Sequence, residues 1–171
     1  MTHERMKRLG AQPLGAKTQD VVKAIEALEN LIPVSRGYRT VLETFEGAII
    51  FANGAKFRTD APSPLNRKDG SQNLEVLYGP GNGKHSIRYH AERCADELPP
   101  RLIPIGETPG GNLVCVDGAG VVYLWDHESM RSEGLWRVAS SVDDFLDRLE
   151  PDDSGIGNTD GIVESESHLD F

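Results

Sequence analysis

Pro99–Glu128, PPRLIPIGETPGGNLVCVDGAGVVYLWDHE, is the stretch that decides the fold. It holds three short runs rich in aliphatic and aromatic residues: Leu102–Ile105, Leu113–Val116 and Val121–Trp125. Gly110-Gly111-Asn112 separates the first two, and Asp117-Gly118-Ala119-Gly120 separates the others. Connections this short join neighbouring antiparallel strands, because a parallel crossover needs a dozen or more residues. The segment therefore reads as a central β-meander. Leu135–Ala139 adds a further strand. Ser141 then caps a helix whose Val142, Phe145, Leu146 and Leu149 share one face, with Asp144 at the capping-box position and Glu150-Pro151 as its end.

Upstream, the spacing of Val21, Val22, Ile25, Leu28 and Ile32 predicts a helix. Thr18 is its expected N-cap, Asp20 sits in its first turn and Pro33 stops it. A second helix starts at Ser35, carries Tyr38, Val41, Leu42 and Phe45 on one face, and ends at Gly47 as C′ residue. Ala48–Ala52 reads as a strand, and Asn53-Gly54 as a hairpin turn because both residues tolerate positive φ. Residues 58–73 read as a polar loop, Leu74–Tyr78 as a strand, and Ser86–Leu98 as a third helix. The expected architecture is a single α+β domain over 18–150, a mostly antiparallel sheet flanked by helices. Residues 1–17, without periodicity, read as a flexible arm. Residues 151–171, rich in Gly, Ser and acids, read as a disordered acidic tail.

Length fits one domain with its own core. The net charge of the 171 residues is −9; six acids and no Lys or Arg in 151–171 supply −6 of it, which leaves −3 for 1–150. An acidic body argues against nucleic acid, whose phosphates need Lys and Arg; it would draw in a basic partner, although ordinary solubility charge is the plainer reading. Cys94 and Cys115 belong to no CxxC pair and read as buried small hydrophobes in a reducing compartment. The basic N-terminus lacks an apolar core, and no run approaches the ~18 apolar residues of a membrane span. A cytoplasmic protein without membrane association is expected.

Motifs that hint at chemistry each have a plainer explanation. Gly79–Lys84, GPGNGK, departs from the phosphate-loop pattern because Lys84 follows the glycines too soon and precedes His85. It reads as a glycine-rich turn. Asp126-His127-Glu128 cannot converge on one metal, since neighbours on a strand point to opposite faces, and no helical His pair accompanies it. Asp126 suits a strand end, with His127 and Glu128 bonded to the next loop; alternatively the three stand exposed beside Tyr123 and Trp125, as partner recognition favours. Gly110-Gly111-Asn112 suits a tight turn more than an anion nest. No G-x-S-x-G elbow is present, and Ser140-Ser141 reads as a cap. No catalytic residue, metal or cofactor is expected.

Taken in order, Ile32-Pro33, Tyr38, Leu42, Leu77-Tyr78-Gly79, Ile103-Pro104-Ile105-Gly106, Gly110-Gly111-Asn112, Val122-Tyr123-x-Trp125-Asp126-His127-Glu128 and Ser141-x-x-x-Phe145-Leu146 resemble the SUKH superfamily, Smi–Knr branch. The resemblance covers about Val21 to Leu149, and the IPIG–GGN–WDHE succession carries it. Where the family often has Asn-Gly-Gly after the second helix, this chain has Glu46-Gly47-Ala48. The resemblance implies an α+β fold and a non-enzymatic binding role. Bacterial members are largely regarded as immunity proteins that neutralise polymorphic or contact-dependent toxins, often nucleases, while a fungal branch regulates cell-wall synthesis. The expected partner is thus a cognate toxin domain, with a basic surface to suit the acidic balance of the chain. Asp126, His127, Glu128, Tyr123, Gly79, Asn82 and Lys84 are its expected contacts because exposed polar groups gather at these strand ends, not because the resemblance assigns them. Ile103, Pro104, Gly106, Gly110, Gly111, Asn112 and Trp125 serve as framework. A regulatory scaffold and a small metal-dependent hydrolase are the rival readings.

Overall fold

The structure is a computed structural model that describes residues 2–129 and 133–153. In chain order its elements are α1 (Thr2–Arg8), β1 (Ala11–Leu14), α2 (Val21–Leu28), α3 (Arg36–Phe45), β2 (Ala48–Phe51), β3 (Lys56–Arg58), β4 (Ser71–Asn73), β5 (Val76–Leu77), α4 (Ile87–Arg93), β6 (Ile103–Glu107), β7 (Leu113–Val116), β8 (Val122–Trp125), β9 (Leu135–Ala139) and α5 (Val142–Arg148). Seven strands form one sheet in the order β1-β2-β5-β6-β7-β8-β9, antiparallel throughout, and β3-β4 form a separate antiparallel pair. The fold is the single-domain α+β arrangement expected.

The meander lies at the heart of that sheet, with β7 and β9 spanning the expected residues. Directly opposed residues share a face. Val114 faces Leu124, and Val116 faces Val122. All four enter the main core with Ile25, Leu28, Tyr38, Leu42, Phe145 and Leu146 from the helices. Leu113 faces Trp125, and these with Cys115 form a second cluster on the other face, closed by Leu98 and Leu102. Because β7 is covered on both sides, its sequence is an unbroken apolar run instead of an alternation. Full burial of each large aliphatic stabilises by about 1.5–3 kcal/mol. The β6–β7 register shifts between Pro104 and Gly106, a bulge at a proline that has no N–H for the ladder.

Residues 2–14 depart from the expected flexible arm. α1 buries Met6, and Leu9 just beyond it, in the main core. β1 then pairs with β2, Ala11 opposite Phe51 and Leu14 opposite Ala48. Pro13 is tolerated because β1 is an edge strand. At the other end, Asp152 is buried, its N–H donates to Asn53 O at 3.0 Å, and Arg67 Nη1 donates to its carboxylate at 2.9 Å. The ordered domain therefore reaches past Pro151; the rest of the expected tail, 154–171, lies outside the described residues.

Four local expectations also change. α2 is capped by Asp20, which adopts φ 48° and accepts from Lys23 N at 3.3 Å, while Thr18 N–H donates instead to Glu46 O at 2.6 Å. Asn53-Gly54 is a turn, with Gly54 at φ 71°, yet not a hairpin. β2 is already flanked by β1 and β5, so the turn hands the chain to β3, whose partner β4 occupies part of the expected polar loop. The left-handed residue ending α3 is Glu46 at φ 57°, not Gly47. Finally, α4 stops at Arg93, and Leu98 is buried from the turn that follows.

Ser35 is the N-cap residue of α3 but makes no cap bond of its own. Asp143, on α5, replaces it. The carboxylate accepts from Ser35 Oγ at 2.7 Å, from Tyr38 N at 2.8 Å and from Gly37 N at 3.3 Å. A carboxylate here satisfies orphan donors and meets the positive end of the helix dipole.

Candidate functional site

The antiparallel register distributes the predicted binding residues over two ends of the sheet. The β6–β7 turn and the loop after β8 lie together at one end, because both follow strands running the same way. β5 runs against β6, with Leu77 opposite Gly106 and Tyr78 N–H donating to Ile105 O. The Gly79–Lys84 loop that follows therefore emerges at the opposite end.

At the first end, Gly110 and Gly111 have φ of 92° and 89°, which a non-glycine residue resists. This pair lets the chain reverse so that Thr108 N–H donates to Asn112 O at 2.8 Å. Asn112 then faces the next loop. Its Oδ1 accepts from His127 N at 3.3 Å and lies 2.9 Å from His127 Nδ1. An amide oxygen only accepts, so Nδ1 carries the proton in that contact. Asp126 shapes the same loop: its carboxylate accepts from Glu128 N at 2.9 Å and Ser129 Oγ at 2.8 Å, and its N–H donates to Gly134 O at 2.8 Å. His127 and Glu128 are exposed. Among the described residues the Glu128 carboxylate has no partner. Asp126 thus sets the geometry, and His127 and Glu128 are what the loop presents. Tyr123 stands apart from them. Its hydroxyl faces Asp117 at 3.4 Å, toward the β7–β8 turn, and burial, then the Asp117 carboxylate, raises its pKa. Trp125, beside it on β8, is buried in the second cluster.

The other end is built by close backbone approach. A Cβ on Gly79 would lie 2.6 Å from Ala48 N and overlap the Gly47 carbonyl carbon, so only glycine lets β5 leave the sheet across α3's exit. Gly79 N–H donates to His85 O, and Ile87 N–H donates back to Gly79 O, both at 3.0 Å. Ser86 Oγ caps α4 by accepting from Tyr89 N at 3.1 Å. Asn82 and Lys84 are exposed on this loop. The Lys84 carbonyl accepts from His90 Nε2 at 2.9 Å, and the His90 ring stacks on Tyr78 at 3.9 Å with 3° between planes. Burial lowers the His90 pKa, which keeps the imidazole neutral at physiological pH. Tyr78 hydroxyl donates to Glu107 Oε2 at 2.9 Å; burial and that carboxylate raise its pKa. The loop is the glycine turn expected, now tied to the sheet through His90 and Tyr78.

Sequence reasoning missed the open cleft of about 610 Å³ that lies beside this loop, walled by α2 on its far side. Its walls come from residues 16–28 and 80–88, distant in the chain, and no local motif marks it. Among the described residues no three His, Cys, Asp or Glu side chains are arranged to hold a metal ion, and no helix is long and apolar enough to cross a membrane.

A model of the SMI1 / KNR4 family (SUKH-1) matches residues 15–148. Among curated proteins, the SPbeta prophage-derived uncharacterized protein YokK of Bacillus subtilis (strain 168) is 33% identical over 84 residues, 48% of this chain. The aligned part covers 44% of that relative's length. No solved structure matches the chain.

Proposed function

The chain belongs to the SMI1 / KNR4 family (SUKH-1), and we propose on that premise that it is a non-enzymatic, cytoplasmic immunity protein that neutralises a bacterial toxin domain by stoichiometric binding. The family match over 15–148, nearly the whole described chain, carries this reading. A prophage-derived bacterial relative supports the toxin-immunity branch over the fungal regulatory one. The net charge of −9 supports a partner with a basic surface, such as a nuclease cleft, and association that slows as salt rises. His127 and Glu128, on a loop braced by Asn112 and Asp126, are the contact residues of this proposal at one end of the sheet.

The test is coexpression with the toxin domain encoded beside this protein's gene. Cells expressing the toxin domain alone are expected to die, and cells expressing both to grow, with a 1:1 complex recovered by size exclusion. Continued death in the presence of soluble, folded protein would refute the reading. Glu128→Gln, which removes a charge without removing an internal bond, is expected to slow association severalfold at low salt and to leave the melting temperature unchanged.

A further inference from the structure

The cleft beside the Gly79–Lys84 loop runs against the charge of the whole protein. Its apolar lining comes from Ala24, Ala27 and Leu28 of α2 and from Ile87 of α4, and of these Ala24 and Ala27 are the ones that keep exposed surface. Lys23 rises from the α2 wall and Arg88 from the α4 wall. Among the described residues neither side chain makes an ion pair or hydrogen bond. Lys17 stands at the mouth, 3.2 Å from Glu46, and Lys84 lines an adjoining hollow of about 240 Å³. The one carboxylate in the lining, Asp20, is engaged with the amide of Lys23. Where the loop lines the cleft, the main-chain N–H groups of Gly81, Asn82 and Gly83 have no acceptor among the described residues. Cations, free amide donors and an apolar floor therefore line one groove in a chain of net charge −9.

We infer that this groove docks an acidic, extended segment of the protein partner, one in which carboxylates alternate with small apolar side chains. The inference rests on the proposed binding role and adds a second contact of opposite charge to it. Carboxylates meet Lys23 and Arg88, the peptide backbone meets the free loop amides as in strand-like recognition, and the small side chains cover Ala24 and Ala27. A nucleic acid would leave Ala24 and Ala27 uncovered, and its denser charge would face stronger repulsion from the acidic body than a segment whose carboxylates alternate with apolar residues.

A fluorescein-labelled peptide alternating Asp or Glu with Ala, titrated against the full chain, reads the groove directly. Binding is expected at about 20 mM salt and is expected to weaken steeply by about 300 mM, as the Debye length shrinks. Lys23→Glu with Arg88→Glu is expected to lower the affinity at least tenfold with an unchanged melting temperature. A milder pair, Lys23→Gln with Arg88→Gln, serves if the reversal impairs folding. Affinity unchanged in both pairs would overturn the inference, as would equal binding of a Lys/Ala peptide or tighter binding of an oligonucleotide. The same charge-reversed variant in the coexpression assay separates this inference from the immunity reading. Full protection by the variant, with no peptide binding, removes the groove and leaves the immunity role intact. Death with the wild-type chain removes the immunity role and leaves the peptide titration to decide the groove.

Discussion

Asp143 and Gly37 make a pair whose energetics can be read with an inverted sign. Among the described residues Asp143 is the sole side chain that satisfies the start of α3, accepting from Ser35 Oγ, Tyr38 N and Gly37 N at 2.7, 2.8 and 3.3 Å. Loss of an N-cap costs about 0.5–2 kcal/mol, and hydrogen bonds to a charged group are worth about 1.5–3 kcal/mol. These overlap here, so Asp143→Ala is expected to destabilise by about 2–3 kcal/mol, roughly 5–10 °C in melting temperature for a domain of this size. Gly37 is a helical residue, where alanine ordinarily stabilises by about 0.5–1 kcal/mol. A Cβ at Gly37, however, would lie 2.8 Å from Asp143 Oδ1 and 3.0 Å from Cγ. Gly37→Ala is therefore expected to destabilise the wild-type chain by pushing the carboxylate off its donors. In the Asp143→Ala background the same change should stabilise. Urea unfolding of the four proteins closes the double-mutant cycle. A cost below about 0.5 kcal/mol for Asp143→Ala, or a stabilising Gly37→Ala with Asp143 present, would refute the reasoning.

Three further outcomes follow from the site geometry. Gly79→Ala is expected to destabilise by about 1–3 kcal/mol, read by thermal denaturation, because the added methyl meets the backbone of Gly47 and Ala48, which cannot rotate away. The His90 pKa lies below the ordinary 6.5 because of burial, so the folded state binds fewer protons than the unfolded one in that window. Stability is then complete above about pH 6.5 and falls as pH drops through the folded pKa. His90→Phe, which can keep the ring against Tyr78, should flatten that part of the pH–melting curve, and an imidazole titration by NMR should give the lowered value. Asn112→Ala is expected to cost only about 0.5–1 kcal/mol at this exposed site, while amide hydrogen exchange at His127 speeds up; unchanged exchange would show that the two loops are not braced by that side chain.

What the sequence makes legible is what its local signals encode. β7 and β9 are readable to the residue because glycine turns and caps bracket dense apolar runs. α1 and β1 are not, since two buried side chains, Met6 and Leu9, anchor a helix of seven residues, and an edge strand reading AQPL needs no alternation. The Asn53-Gly54 turn misleads in a different way. The dipeptide fixes a reversal of the backbone, but which strands flank β2 is decided by packing of β1 and β5 from far along the chain. The same limit applies at the sites. Glycines at 110 and 111 announce a turn, whereas the link from Asn112 to His127 crosses 15 residues and the cap from Asp143 to Tyr38 crosses 105.

The division of the predicted contact residues between two sheet ends changes how function can be dissected. His127 and Glu128 follow β8, and the cationic groove lies beyond the C-terminal end of β5, so substitutions in one set touch no partner of the other. Distant, unshared sites add in free energy to within about 0.5 kcal/mol. Glu128→Gln and the Lys23/Arg88 pair should therefore act additively on partner affinity if both ends contact it, and with opposite response to the partner's charge. On the proposed binding role, an acidic loop and a cationic groove on one small domain would discriminate more sharply than either alone, because a partner carrying only basic surface would be repelled at the groove. The net charge of −9, read alone, points to half of that pattern.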